Sequence, residues 1–259
     1  MYLSQINTYP IKSTYPISVK AGYLHPTGIG FDRNWMLIDE DNAMLTSRKH
    51  PKLLHVRTRI DGSSLRVMLP KRDFLLPLEP KPEAPVWVKH WGEKPLPAWP
   101  QNPALDVALS EYLGLACRLV YSANLQHEDP DKALSFADAQ PLLLTTTASL
   151  AALNERLDDA IGMDRFRTNL VINNLTADVE DKWQRLKIGA CELEVSYPCK
   201  RCVLTTIDPI NLTQHEQQEP LRTLAQYRRL DEGGVGFGIN LTVIKAGPIA
   251  VGDTVQVLC

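Results

Sequence analysis

The chain has 259 residues, 44% of them hydrophobic and 22% charged, the make-up of a folded globular protein and not of a disordered one. That length fits one large domain or two small ones. Lys and Arg number 28 against 30 Asp and Glu, so no overall basic field exists to gather nucleic acid or an anionic membrane, and any anion must be held by local charge.

The amino-terminal MYLSQINTYPIKS has neither a basic leader nor an apolar run. The least polar stretch, PLLLTTTASLAALN, is too short and too rich in Thr to span a bilayer. Five cysteines, an odd and sparse set, argue against a disulfide scaffold and for a reducing compartment. The expectation is a soluble cytoplasmic protein with neither nucleic acid nor membrane as partner.

Residues 1 to 100 read mainly as strands. Alternation runs through LSQINTYP and ISVKAGYL, WMLID is apolar, and KLLHVRTRI and SLRVMLP flank a turn at Asp61-Gly62. Asn102 followed by Pro103 marks the start of a helix through ALDVALSEYL, which Gly114 ends, and CRLVYS follows as a strand. The texture changes around residues 120 to 130, at the polar stretch NLQHEDPDKA. Beyond it come a helix near ASLAALNERL, with Leu150, Leu153 and Leu157 on one side, and a strand at NLVIN. CELEVSY alternates, with Cys191, Leu193, Val195 and Tyr197 on one face. YPCKRC is expected as a loop leading into a β-rich VLTTI. A helix near PLRTLAQY and strands INLTVIK and TVQVL, turned at Gly252-Asp253, complete the chain. The expected class is α+β, predominantly β: two barrel-like β domains with a few peripheral helices.

Four segments carry residues suited to chemistry. In Cys199-Lys200-Arg201-Cys202 the C-x-x-C spacing fits half a zinc site, a redox dithiol, a single thiolate favoured by the cations Lys200 and Arg201, or an inert loop cysteine. Zinc needs a second ligand pair, and Cys117, Cys191 and Cys259 are scattered with no H-x₃₋₅-H after them. A thioredoxin-like dithiol opens a helix in a βαβ unit, which this context does not offer. In YPIKS, Lys12 and Ser13 follow a strand and supply a point charge and a hydroxyl, a pair suited to one phosphate or simply to solvent. Arg33, at the entrance of WMLID, is either an oxyanion ligand or the partner of Asp32 or Asp39. In FRTNLVIN, Arg167 and Asn169 stand two apart on an expected strand. One face would then present a guanidinium and a carboxamide able to read a heteroaromatic edge, with core-edge hydrogen bonding as the ordinary alternative.

In order along the chain, YPIKS, DRNWMLID, TSRKHP, LSFAD, FRTNLVI, YPCKRCVLTTIDP, FGINL and VGDTVQV resemble the MOSC family. The likeness is to its branch with an extra N-terminal β-barrel domain, which includes the mitochondrial amidoxime-reducing component and bacterial relatives. It covers essentially the whole chain, and P-C-x-R-C-x-x-T-T-x-D-P is its most specific motif. The resemblance implies an N-terminal β-barrel domain over 1–125 and a MOSC domain over 126–259. It implies a molybdenum cofactor: a metal held by a pterin dithiolene, oxo-type ligands and one cysteine. That cysteine is the second of the loop, Cys202, the metal ligand and catalytic residue. Lys12 and Ser13 are then the phosphate pair and Arg33 the Asp-Arg arginine. Arg167 and Asn169 contact the pterin, Ala139 and Gln140 contribute through backbone, and Asn240 lies near the metal. Lys200 and Arg201 join this cofactor-binding set as the cations of the cysteine loop.

The implied activity is reduction of N-hydroxylated compounds, amidoximes and hydroxylamines. The alternative is a cofactor or sulfur carrier that turns nothing over, and a third reading is a plain β-barrel interaction domain. No four-cysteine iron–sulfur motif follows VGDTVQVLC and no G-x-G-x-x-G occurs, so the expectation is either a separate flavoprotein, haem or iron–sulfur donor of electrons or a chain that is a fragment of something longer.

Overall fold

A computed structural model describes residues 1–81, 84–91, 94–122 and 135–258. Cys259 and residues 124–133, the polar stretch holding the expected 125/126 boundary, lie outside the described residues. The chain divides into two compact units, neither contiguous in sequence. One comprises Met1–Asn7, Ser18–Gly30 and Ala139–Cys259, the other Thr8–Ile17 and Phe31–Asp138.

The first unit is built on an eight-stranded sheet. Its strand order is Val255–Val257, Arg185–Ile188, Cys191–Lys200, Gly236–Lys245, Leu142–Thr146, Leu170–Asn173, Tyr2–Thr8 and Ile17–Val19. Leu142–Thr146 and Leu170–Asn173 run parallel, and the helix Thr147–Asn154 lies in the crossover between them, as parallel pairing requires. Thr146 caps that helix by accepting from Ser149 N. Alternating residues of these strands, among them Leu3, Ile6, Leu144, Ile172, Leu186, Leu193, Ile239 and Leu241, fill one buried core with Leu24 and Ile249 of a smaller three-stranded sheet. A second cluster gathers Leu153, Phe166, Leu224, Val235 and Phe237, with Leu150 and Leu157 packed against it.

In the second unit, Trp35–Ile38, Arg118–Tyr121, Leu96–Pro100 and Val86–Val88 form one sheet, and Arg57–Asp61, Ser64–Met68 and Asp73–Pro77 a meander. The helix Pro103–Leu113 begins as its sequence dictates: Asn102 Oδ1 accepts from Ala104 N and Leu105 N at 3.0 and 3.1 Å, and Gly114 ends it at φ 77°. Its Leu105, Leu109 and Leu113, four apart, bury against Trp35, Leu53, Leu65, Val67 and Leu119. The predominantly β class expected from the sequence is thus the class observed, with open strand orders among the described residues. No helix among those residues is long and apolar enough to cross a membrane.

Three local readings are corrected. Pro51–His55 is a 3₁₀ turn and not the start of a strand: Pro51 fixes its own φ, Leu53 and Leu54 bury, and the strand starts at Arg57. The strand from Cys191 runs on through the expected loop to Lys200, with register shifts that let Pro198 sit opposite Ile239 at an irregularity where its missing N–H costs little. VLTTI in turn becomes a 3₁₀ helix, Val203–Thr206, because two threonine hydroxyls bond back three residues: Thr205 Oγ1 to Cys202 O at 3.0 Å and Thr206 Oγ1 to Val203 O at 2.7 Å.

Gly238 of the FGIN segment shows how tightly the first sheet is drawn. Its φ is +76°, and a β-carbon there would stand 2.5 Å from Leu144 O and 2.7 Å from Thr145 Cγ2. Gly238→Ala is expected to lower unfolding free energy by about 2–5 kcal/mol, through the positive φ and the clash with backbone together. Chemical denaturation of the two proteins measures it, and an unchanged midpoint would show that the strand shifts at little cost.

Candidate functional site

The cysteine loop belongs to the first unit. Its frame is fixed on both sides of Cys202: Arg201 N donates to Val235 O at 2.8 Å, while the carbonyl of Cys202 accepts from Thr205 N at 3.1 Å and Thr205 Oγ1 at 3.0 Å. The Cys202 side chain is exposed and its thiol free. A sulfur held on a fixed backbone yet open to solvent is positioned to take an external electrophile or metal. Cys199 is half-buried and its Sγ accepts from Arg201 Nη1 at 3.0 Å. The same guanidinium reaches Phe166 O through Nη2 at 2.7 Å and lies 5.3 Å from the Phe166 ring. Phe166 in turn stacks on Phe237 with centroids 4.0 Å apart. Arg201 therefore ties the loop to the Met163–Phe166 turn, and its charge faces the first cysteine. Its Nε is buried with no hydrogen-bond partner among the described residues. The aliphatic stem of Lys200 fills the space over Gly234, which keeps a φ of +92°.

Arg167 and Asn169 do not share a strand. Arg167 closes the Met163–Phe166 turn in the left-handed region, φ 54°, and the strand begins only at Leu170, so the alternation that would place both on one face does not apply. Asn169 is buried and its carboxamide joins two main chains, donating to Asn7 O at 3.1 Å and accepting from Leu143 N at 3.1 Å. This is the core-edge alternative: Asn169 frames the floor on which its neighbours stand. Asn240 is buried in the strand Gly236–Lys245, paired with Leu143 on one side and Tyr197 on the other, so it shares strand neighbours with the cysteine loop. Ala139 is exposed and Gln140 half-buried, leading into Pro141, whose carbonyl lies against Gly28.

The cations Lys12 and Arg33 belong to the second unit, on two segments stitched together by Arg33 N to Tyr9 O at 2.8 Å, Trp35 N to Pro10 O at 3.0 Å and Lys12 N to Trp35 O at 2.7 Å. Ser13 and Arg33 both adopt left-handed conformations, φ 69° and 53°. Together with Arg167, three of the candidate residues thus hold a backbone that non-glycine residues avoid at a cost of about 1–3 kcal/mol each, a pattern that concentrates at functional sites. The Lys12 ammonium, buried to 5% exposure, donates to Phe136 O at 2.8 Å and pairs with Asp138, whose own side chain is 68% exposed. Trp91 Nε1 also donates to Asp138, at 2.9 Å. Lys12, the Trp91 bond and Arg33 together hold the Asp138 carboxyl well below its usual range. Burial, then the Lys12 charge, press His90 down to about 4, so its imidazole is neutral at pH 7. Arg33 pairs with the buried Asp32 and lies 4.4 Å from the Tyr9 ring.

Sequence reasoning missed Asp138, Trp91 and Arg48. Asp138 and Arg48 stand inside segments quoted for their resemblance, LSFAD and TSRKHP, without a role; Trp91, in HWG, carries no motif signal, since nothing local announces a ring that meets cations from distant segments. Among the described residues no group of three His, Cys, Asp or Glu converges as a metal site. Among those residues Cys202 is the exposed soft donor.

These features define a class: a mostly β protein of two units, one presenting an exposed cysteine on a fixed loop and the other a buried lysine and arginine. The chain belongs to the MOSC family, in the branch with two domains, matching the MOSC domain over residues 131–256 and the MOSC N-terminal beta barrel domain over residues 1–114. It is 30% identical over 283 residues to mitochondrial amidoxime-reducing component 1 of Mus musculus, covering 99% of this chain and 82% of that protein. With mitochondrial amidoxime reducing component 2 of Homo sapiens it shares 30% over 270 residues, 95% of this chain and 80% of that protein. Among solved structures, YiiM from Geobacillus stearothermophilus aligns at TM-score 0.35 and 16% identity over 46% of this chain and 55% of that one, too distant to bear on the site.

Proposed function

We propose that the protein is a molybdenum-dependent oxidoreductase that reduces N-hydroxylated compounds, amidoximes and hydroxylamines, with electrons from a separate donor protein. The observation that carries this reading is the exposed Cys202 thiol on its pinned loop, in a chain similar over nearly its whole length to proteins named amidoxime-reducing components. The residues present fit a pterin-held metal. Cys202 offers one soft sulfur, Lys12, Ser13 and Arg33 offer the charge and hydroxyl a phosphate monoester takes, and the unpartnered Arg201 Nε is a buried donor of the kind a bound group satisfies. Asn169 serves by fixing the main chain beside Arg167, while Ala139, Gln140, Lys200 and Asn240 complete the binding set.

When bound, the metal supplies two-electron redox chemistry; the protein supplies binding, orientation and exclusion of competing reactions. Each turnover consumes two electrons and two protons, breaks one N–O bond and releases its oxygen as water, leaving the amine or amidine. Cys202 would hold the metal through its sulfur, and Arg201, bound to Phe166 O, keeps the loop carrying that sulfur in place.

Protein produced in a host that makes the cofactor tests this. Reduced viologen is expected to drive reduction of an N-hydroxyamidine, whereas NADH or NADPH alone gives no turnover, since no dinucleotide fingerprint is present. Full molybdenum occupancy with no N-hydroxy compound reduced would establish the carrier reading instead.

A further inference from the structure

Arg48 and Lys12 meet the same side chain. The Arg48 guanidinium carbon lies 4.3 Å from the centroid of the Trp91 ring and the Lys12 ammonium 5.6 Å from it, so the two charges are within about 10 Å of each other, about one screening length at 0.1 M salt. Among the described residues, Arg48 is seen against that ring, and no carboxylate pairs with it. One nearby carboxylate, Asp138, answers Lys12, and Asp32 answers Arg33. The neutral His90 adds no charge beside that half-exposed indole. Holding two cations on one ring is favourable to each singly and repulsive between them, and a third, anionic group relieves that repulsion.

We propose that Arg48, carried on the Trp91 indole, is a third cation of the Lys12 anion site and binds the phosphate monoester placed there by the function proposed above, on which this inference rests. Asp138 is the site's internal competitor. Its exposed carboxylate is the movable partner of the Lys12 ammonium, whereas Phe136 O is fixed main chain. An arriving phosphate displaces the carboxylate, and Arg48 supplies the donors that a single ammonium lacks, since a guanidinium can bind two phosphate oxygens at once.

Binding of inorganic phosphate to the cofactor-free full chain, followed by calorimetry, tests the assignment. Arg48→Gln is expected to weaken phosphate binding about tenfold or more, the loss of one charge-assisted pair. Trp91→Leu, which removes the ring but no charge, is expected to weaken it by a smaller factor, and Trp91→Phe to restore most of the loss. Asp138→Asn is expected to tighten binding about two- to fivefold, because an exposed competing pair contributes little more than that. Tightening is a sign that a merely structural Asp138 would not give. Lys12→Ala reads the anion site itself. Phosphate binding unchanged in Arg48→Gln but lost in Lys12→Ala overturns the part given to Arg48 and leaves the site standing. Binding unchanged in both, or absent from the unaltered protein, overturns the site and the inference together. Thermal unfolding of each variant separates weakened binding from unfolding.

Discussion

Cys202→Ala or Cys202→Ser is expected to bring reductase turnover with reduced viologen to background and to strip molybdenum from the protein, while Cys199→Ser keeps most of both. The two cysteines differ in what surrounds them. Cys202 is exposed, its backbone fixed by two bonds from Thr205, so its side chain can be removed without disturbing the loop; unfolding should shift by no more than about 0.5 kcal/mol, as at surface positions generally. Cys199 is half-buried and accepts from Arg201 at 3.0 Å, and a serine hydroxyl there still offers that guanidinium an acceptor. Metal analysis and turnover on the same preparations decide the matter. Equal loss in both variants would point to a dithiol pair, and stoichiometric zinc in place of molybdenum to a zinc site.

The second large effect is expected at the cations of the other unit. On the placement proposed for the phosphate, Lys12→Ala would remove a charge-assisted contact worth about 1.5–3 kcal/mol, so cofactor occupancy should fall at least tenfold when cofactor is limiting. Arg33→Ala should lower occupancy by a similar factor and also destabilise the fold. The reason for the difference is burial of the partner. Asp138, left by Lys12→Ala, has a side chain 68% exposed and is rehydrated, whereas Asp32, left by Arg33→Ala, is 2% exposed. Among the described residues Asp32 then keeps the Tyr9 N and Thr8 hydroxyl bonds, at 2.8 and 3.5 Å. Lys89→Ala, exposed and without an assigned role, is the control. Full occupancy in folded Lys12→Ala and Arg33→Ala would show that the phosphate is not held there.

Much of this was legible in the chain because it rests on local physics. The helix Pro103–Leu113 follows from its Asn cap, its proline at the first position and a glycine in the left-handed region, all between Asn102 and Gly114. The strands Tyr2–Thr8, Leu170–Asn173 and Gly236–Lys245 follow from their apolar patterns. The order of short motifs identified the family that the near-full-length similarity to amidoxime-reducing components then showed. Where hydrogen bonds between residues close in sequence compete with propensity, the reading failed. VLTTI has β-favouring residues, yet Thr205 and Thr206 close a 3₁₀ turn; FRTN looks like the start of a strand, yet Arg167 turns into the left-handed region first.

Residue types and short spacings carried the mostly β class and the candidate cations at Lys12 and Arg33, while the choice of Cys202 over Cys199 came from the resemblance of the whole ordered motif set to a family. Tertiary structure alone decided which segments make each unit, that Arg201 serves Cys199 and Phe166, that Asn169 is engaged with main chain, and that Lys12 and Arg48 converge on Trp91. The physical reason is separation along the chain. Lys12 meets a carboxylate 126 residues away, and no periodicity or propensity encodes a contact whose partners are brought together only by the packing of everything between them.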